Sequence, residues 1–388
     1  MIKHIFKLIW NKRKSNALIL IEIFLAFLVL FAVLSYVTYN FRMLTEPTGF
    51  DTKDKWLVNL ESFRQKDSVD IINLRATLKS ELSQMENVES LSFTGFSYPF
   101  SGSTSSTSQD KMGFEISTLI GRADIDYQKA MGLNITQGRW FTEEDLTATY
   151  PPVIVNEIFM EEYFPDKNML DSIIIHRGEH RIVGVLDAYR YKGDFSENEP
   201  TAFYLEDVDS KRTSNIILNM TPGTTVVYEE KVSKLIRSIT KADNFMISNL
   251  EKSRKENASD TWIPMIILMS MCGFLCINVA LGLFGILWYN INKRKGEIGL
   301  RRAIGAHSSD IKKQFILEII ILALIGIVLG VFFAIQVPLL KLGPLEPINM
   351  YYAIAMSAMI ILVLVTFCAL QPSWQASKIH PATALHEE

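Results

Sequence analysis

Four stretches of this chain are long and apolar enough to cross a membrane, and they restrict its possible folds more than any other feature. A membrane-crossing helix needs about 20 mostly apolar residues. The stretches cover residues 17–40, 262–289, 316–337 and 351–370. Charged residues make up only 21% of the 388, which is typical of a membrane protein with an aqueous domain. Basic and acidic residues nearly balance, 39 against 42, which argues against a dedicated nucleic-acid binder.

The first apolar stretch resembles a signal peptide only superficially. Five basic residues and no acidic one precede it, within residues 1–16. However, its apolar core is longer than the roughly 7–15 residues of a signal peptide, and no A-x-A-like cleavage site follows. We therefore predict a basic amphipathic leader followed by an uncleaved membrane anchor.

The distribution of charge predicts the orientation in the membrane, because Lys and Arg accumulate in short cytoplasmic segments. The leader is basic, and residues 291–314 carry seven basic residues against two acidic ones. Residues 45–260 instead carry 24 basic and 35 acidic residues, a net charge of −11. We expect this large region and the short loop 341–350 to lie outside, and the tail 371–388 to lie in the cytoplasm.

The large external region contains two strand–helix–strand patterns. Residues 54–96 form the first and residues 215–249 the second, which together predict a split ferredoxin-like subdomain. Residues 98–212 between them are β-rich and are expected to form an inserted subdomain. The three cysteines all lie in apolar runs, so no disulfide framework is expected outside. The predicted fold is thus a four-span α-helical membrane domain with an α+β external domain.

The sequence carries few motifs of catalytic chemistry. The sequence has no G-x-x-x-x-G-K-[ST] motif for nucleotide phosphates and no G-x-S-x-G motif. His176 and His180 are four residues apart, but they fall in a predicted hairpin turn, where a surface turn is a better explanation than a zinc site. We predict no catalytic residue, no metal site and no cofactor bound by this chain.

Two acidic residues, Glu22 and Glu318, lie near the cytoplasmic ends of predicted spans. A carboxylate in a membrane is costly, so each is either an interfacial anchor with a basic partner or part of a proton relay. Small residues at helical spacing permit close helix packing within the chain or at a dimer interface. These candidate packing positions are Gly282, Gly285, Gly326 and Gly330.

The segment from Lys293 to Gly330 carries the most specific pattern. It begins KRKGEIGLRRAIGA, and the tail contains QPSWQASKIHPATAL from Gln371. Between the spans, GRWFT from Gly138, VIVNE from Val153 and IVGV from Ile182 follow one another. In their joint order these motifs resemble the FtsX/MacB family of ABC transporter permeases, the type VII or mechanotransmission transporters, including their MacB-like periplasmic core domain.

The resemblance implies that a short cytoplasmic helix docks on an ATPase. Ile298, Leu300 and Ile304 are expected to form the docking face, while Arg301 and Arg302 supply charge complementarity. An alternative is an amphipathic basic helix lying on anionic lipid. The full set of predicted coupling residues is Glu297, Ile298, Gly299, Leu300, Arg301, Arg302, Ala303, Ile304, Gly305 and Ala306.

The resemblance also implies the partners. MacB carries its nucleotide-binding domain on the same polypeptide, so the short leader here implies a separate ABC ATPase that binds ATP and Mg²⁺. A second permease chain, identical or homologous, is expected in the inner membrane, with N- and C-termini in the cytoplasm. Work done in the periplasm by relatives includes efflux of compounds, with an adaptor and outer-membrane component, lipoprotein extraction and the activation of cell-wall hydrolases.

Two other classes of function stay open at this point. The chain could be a standalone sensor or receptor whose external domain binds a ligand and whose basic loop only anchors to lipid. An intramembrane enzyme would need catalytic groups within the spans, for which Glu22 and Glu318 are the candidates. The charged helix-favouring stretch 251–260 runs directly into the second span, so a continuous helix could carry motion across the membrane.

Overall fold

The computed structural model describes residues 13–60, 68–95, 98–102, 104–108, 117–165, 169–175, 178–206, 214–242, 244–342 and 345–378. Most of the predicted leader and the end of the tail lie outside these residues. The chain forms two compact units. One combines residues 1–42 with 262–388 and is called the membrane unit here; the other, residues 43–261, is called the external domain.

The helices and strands account for most of the described residues. The helices are α1 (Arg13–Met43), α2 (Ser68–Ser83), α3 (Tyr127–Met131), α4 (Glu157–Tyr163), α5 (Val226–Thr240), α6 (Leu250–Lys293), α7 (Lys295–Ala303), α8 (Ser308–Ala334), α9 (Gln336–Leu339) and α10 (Pro347–Ser377). The strands are β1 (Lys55–Asn59), β2 (Val88–Thr94), β3 (Ser106–Ser108), β4 (Ser117–Ala123), β5 (Ile135–Gly138), β6 (Pro152–Asn156), β7 (Ile173–Ile175), β8 (Glu179–Leu186), β9 (Thr201–Leu205), β10 (Asn215–Met220) and β11 (Met246–Asn249).

Four helices of the described chain are long and apolar enough to cross a membrane, as predicted. Each begins before the apolar stretch recognised in the sequence, since backbone hydrogen bonding continues into polar flanking residues. Helix α10 runs on to Ser377, seven residues into the predicted cytoplasmic tail, and it begins at Pro347, inside the predicted external loop. Proline is well suited to the first turn of a helix, where its missing N–H is not needed.

The external domain contains the predicted ferredoxin-like arrangement. Its four strands lie in the order β11-β1-β10-β2, and all neighbours are antiparallel. Helices α2 and α5 pack on one face of this sheet, where Leu78 and Ile236 join Val58 and Ile216 in a buried apolar cluster. The two strand–helix–strand patterns of the sequence therefore interleave in space, because each contributes one central and one outer strand.

The strands of the predicted insertion do not form a separate sheet. They continue the same sheet in the order β4-β9-β6-β8-β5 beyond β2, with β3 and β7 as side branches. A single residue pair, Thr94 with Ala123, joins β2 to β4. Strand β7 pairs with β8, and Ile174 lies opposite His180 in this hairpin. His176 lies outside the described residues, and no group of three metal-ligating side chains occurs among the residues that are described.

Candidate functional site

The predicted coupling segment folds as the short helix α7, between α6 and α8. Arg294 interrupts the helical path, with φ −107° and ψ 13°. At the other end, the N–H of Ala306 donates to Arg301 O and the N–H of Gly305 donates to Arg302 O, which is the Schellman pattern of helix termination. This pattern needs a left-handed residue, and Gly305 supplies it with φ +104°. The glycine therefore ends α7 sharply and starts the turn into α8.

One face of α7 is buried within the membrane unit. Ile298 is only 3% exposed and packs in a cluster with Ile291, Ile311, Phe315 and Ala376. These residues come from α6, α8 and α10, so α7 lies against three long helices. Its position is thus set by tertiary packing.

The predicted docking face must be corrected. Ile298 and Leu300 are two residues apart, which places them about 200° apart around an α-helix. Ile298 is consequently buried, whereas Leu300 is 53% and Ile304 78% exposed. The surface that α7 offers is formed by Leu300 and Ile304, which are four residues apart.

The two arginines of the motif make contacts within the chain. Arg301 Nη1 donates to Gln314 Oε1 at 2.8 Å, and Arg301 Nη2 donates to Glu297 Oε1 at 2.6 Å. Arg302 donates to the hydroxyl of Ser308, which in turn donates to the carbonyl of Ser377 at 3.0 Å. Both guanidinium groups therefore hold α7 against α8 and α10, a role that the sequence did not reveal.

Glu318 has a buried basic partner. Arg294 Nη1 donates to Glu318 Oε2 at 3.0 Å, and the exposed fractions of the two side chains are 7% and 9%. Sequence reasoning missed Arg294, although an acidic residue in an apolar helix was itself a signal that a cation should lie nearby. The pair supports the anchoring hypothesis for Glu318. Glu22 is half-buried beside Gly282, and the described residues include no ion pair to it.

Three of the four predicted packing glycines lie at helix contacts. A Cβ at Gly326 would lie 2.9 Å from Ile23 Cγ2, and a Cβ at Gly330 would overlap the ring of Phe27, so α1 and α8 approach closely. A Cβ at Gly282 would lie 2.5 Å from Glu22 Oε1. Gly285 faces open space, where a contact with a second chain stays a prediction.

Four apolar helices, an external domain between the first and second, and a short packed helix between the second and third define a membrane protein of the permease class. Residues 17–237 match the MacB-like periplasmic core domain family, and residues 268–381 match the FtsX-like permease C-terminal family. The chain belongs to the FtsX/MacB family of ABC transporter permeases. This membership fits an inner-membrane protein with a periplasmic domain.

Over the aligned residues, individual relatives are about a quarter identical to this chain. The macrolide export ATP-binding/permease protein MacB of Aggregatibacter actinomycetemcomitans is 25% identical over 299 residues, which are 75% of this chain and 45% of that protein. The chain thus spans less than half the length of this relative. The uncharacterized ABC transporter permease YvrN of Bacillus subtilis is 26% identical, over 68% of this chain and 69% of that protein.

Two solved structures align with part of this chain. The periplasmic region of MacB from Actinobacillus actinomycetemcomitans aligns with a TM-score of 0.38 and 15% identity, covering 55% of this chain and 97% of that one. The extracellular domain of the ABC-type transporter YknZ from Gram-positive bacteria aligns with a TM-score of 0.35 and 13% identity, covering 50% of this chain and 100% of that one.

Proposed function

We propose that this chain is the transmembrane subunit of an ABC transporter and that a separate ATPase subunit docks on α7. The observation that carries the proposal is the exposed apolar pair Leu300 and Ile304, at 53% and 78% exposure, on a helix whose opposite face is buried. Residues four apart on a helix form one contact surface. A helix fixed on one side and apolar on the other is suited to a protein partner.

The same geometry argues against a helix that only lies on lipid. Such a helix gathers its apolar residues on one face and leaves its basic residues free on the other. In α7, Ile298 points into the protein while Leu300 points away from it, and Arg301 is bound to Gln314. An apolar side chain therefore lies on each of two sides of α7 among its charged residues, which favours a position between two protein surfaces.

Movement of α7 would pass to the external domain through α6. This helix has 44 residues, a length of about 66 Å at 1.5 Å per residue, whereas the hydrocarbon core is about 30 Å thick. Its first turns belong to the external domain, where Arg254 donates to both carboxylate oxygens of Asp194 at 2.8–3.1 Å. Thr52 also donates to Glu251 at 3.0 Å. Movement of α6 would thus reach the external domain directly.

The complete assembly in this proposal has two permease chains, identical or homologous, and two ATPase subunits that bind ATP and Mg²⁺. The termini and α7 are cytoplasmic, and the external domain is periplasmic. ATP binding closes the ATPases, α7 moves, and the periplasmic domains change conformation. The work they perform is efflux of periplasmic compounds with an adaptor, or extraction of lipoproteins.

The test is the substitution Ile304→Asp in the full-length chain. We expect an ABC ATPase to co-purify with the unmodified chain from native membranes and to be lost from this variant. The matched control is Ser309→Asp, which adds the same charge five residues away in the exposed first turn of α8. Retention of the ATPase by Ile304→Asp would show that this surface is not the docking site.

A standalone sensor is the second candidate, because the external domain alone is large enough to bind a ligand. A sensor predicts that no ATPase co-purifies, even after crosslinking through a cysteine introduced near Arg301. Glu22→Gln separates both candidates from an intramembrane enzyme, since anchoring predicts a modest loss of function and catalysis predicts its abolition.

A further inference from the structure

The junction between α6 and α7 is built around one buried cation, Arg294. Its guanidinium contacts three side chains: Nη1 donates to Glu318 Oε2 at 3.0 Å, Nε donates to Glu297 Oε2 at 3.1 Å, and the plane lies 5.1 Å from the centre of the Phe315 ring. Glu318 and Phe315 belong to α8, while Glu297 belongs to the first turn of α7. The side chain of Arg294 thus joins the junction between α6 and α7 to α8, the next membrane helix.

An arginine is required for this geometry. Its planar guanidinium presents donors in fixed directions, so it can bind two carboxylates and stack on an aromatic ring at once. A lysine ammonium could donate to both carboxylates, but it has no planar group that stacks on the Phe315 ring at the same time. A buried charge is costly unless it is paired and hydrogen-bonded, so the two partners make the position of Arg294 strongly specified.

A second connection runs in parallel. Glu297 also accepts a hydrogen bond from Arg301, and Arg301 donates to Gln314. Gln314 and Glu318 are four residues apart on α8 and therefore lie on the same face. Helix α7 is consequently tied to one stripe of α8 near both of its ends.

Helix α7 needs such ties because it is weak in isolation. It has nine residues, fewer than the roughly 12–15 below which isolated helices are marginal in water. It also contains Gly296 and Gly299, each of which disfavours a helix by about 1 kcal/mol relative to alanine. A force applied to an unsupported α7 would bend the junction at Arg294.

We propose that Arg294 and Glu318 form a positioning pair that makes α7 and α8 move as one rigid body. A push on Leu300 and Ile304 then displaces the third membrane helix instead of being absorbed at the junction. The rigid connection can be measured on the permease alone, whereas its use in coupling rests on the proposed docking of an ATPase.

The experiment measures the distance between spin labels at Ala303 on α7 and Phe332 near the far end of α8, both exposed. The full-length chain is placed in lipid nanodiscs without any ATPase, after its three native cysteines have been replaced by alanine. The variants are Arg294→Gln, Glu318→Gln and the double variant, with Lys293→Gln as a control. Lys293 is the exposed basic neighbour of Arg294.

We expect one narrow distance peak for the unsubstituted residues and for Lys293→Gln, and loss of that peak in each single variant. The double variant should be no broader than either single one, because the two residues act as a pair. It also leaves no unpaired buried charge, so it decides the question if a single variant fails to fold. A narrow peak in the double variant, or broadening that adds up from two independent effects, would overturn the proposal.

A second measurement separates positioning from a merely structural role. In the complex with the ATPase, ATP should leave the Ala303–Phe332 distance unchanged when the pair is present and should change it in Glu318→Gln. An ATP-dependent change in the unsubstituted chain would contradict rigid coupling. Failure of the ATPase to bind at all would refute the proposed function and leave the nanodisc result standing.

Discussion

Replacement of Gly49 by alanine should destabilise the external domain through a backbone contact. Gly49 follows the first membrane helix and has φ +83°, in the left-handed region. A Cβ there would overlap the carbonyl group of Ala188 and lie 3.2 Å from its Cα. The contact is flanked by hydrogen bonds from Arg190, whose N–H donates to Thr48 O at 3.0 Å and whose Nη1 donates to Glu46 O at 2.7 Å. The neighbouring backbone is thus held on both sides.

The expected loss has two parts. A non-glycine residue in the left-handed region costs roughly 1–2 kcal/mol. The overlap with Ala188 adds about 1–3 kcal/mol, the usual cost of inserting atoms into a well-packed site. Gly223 provides a matched control, because it has nearly the same φ, +85°, and no atom within 4 Å of its Cβ position. Gly223→Ala should therefore lose only the first part.

Calorimetry of the full-length chain in detergent measures both losses. For a domain of this size about 1 kcal/mol corresponds to roughly 2–4 °C, so the two variants should differ in Tm by about 2–12 °C. Hydrogen exchange should also quicken around Thr48 and Ala188 in Gly49→Ala alone. Equal losses of stability in the two variants would refute the argument, since they would show that the Ala188 segment moves aside without cost.

Three further predictions follow from other parts of the chain. Burial raises the pKa of Asp124 from 3.8 to about 6, despite hydrogen bonds to its carboxylate, so the folded state binds the proton more tightly than the unfolded chain does. The free energy of unfolding of the external domain should therefore fall by about 3 kcal/mol as the pH rises from about 4 to above 6. Thermal melts at several pH values measure this loss, with Asp124→Asn as the control. Gly330→Leu should separate α1 from α8 and abolish stable insertion, because even a Cβ at Gly330 would overlap the ring of Phe27. Gly285→Leu should be tolerated in the single chain, since no atom lies within 4 Å of its Cβ position. Size-exclusion chromatography should show a well-folded, unaggregated protein for Gly285→Leu alone. Asp194→Asn should weaken the partly exposed pair with Arg254 and speed hydrogen exchange of residues 187–200 up to about fivefold, a loss of about 1 kcal/mol.

Local patterns in the sequence were sufficient to predict the membrane spans, the ferredoxin-like strands and the long helix α6. The four spans followed from the length of apolar runs, since a helix in lipid must satisfy all its backbone groups internally. The ferredoxin-like strands followed from alternating residues around two helical segments. The continuous helix through residues 251–260 was expected because the stretch favours helix and the nearest proline is Pro264, which the structure accommodates inside α6.

Local patterns could not predict which residues far apart in the sequence pair or hydrogen-bond in the fold. The sequence predicted a β-rich insertion but not which strand its own strands would meet, and pairing of Thr94 with Ala123 joins them to the ferredoxin-like sheet. Strand pairing depends on which edges meet in space, and no local periodicity records that. Asp124 is similar: its buried carboxylate accepts hydrogen bonds from Ser92 and Phe93, about 30 residues earlier, which the chain brings to it only on folding.

The sequence by itself determined that α7 is short, basic and bounded by a glycine, because these properties are local. The tertiary structure alone decided which side of α7 is free. Ile298 is buried by Ile311 and Phe315 of the next helix, which leaves Leu300 exposed. It likewise decided that Glu318 is paired with Arg294, 24 residues away, since a buried charge is stable only where folding brings a partner within hydrogen-bond distance.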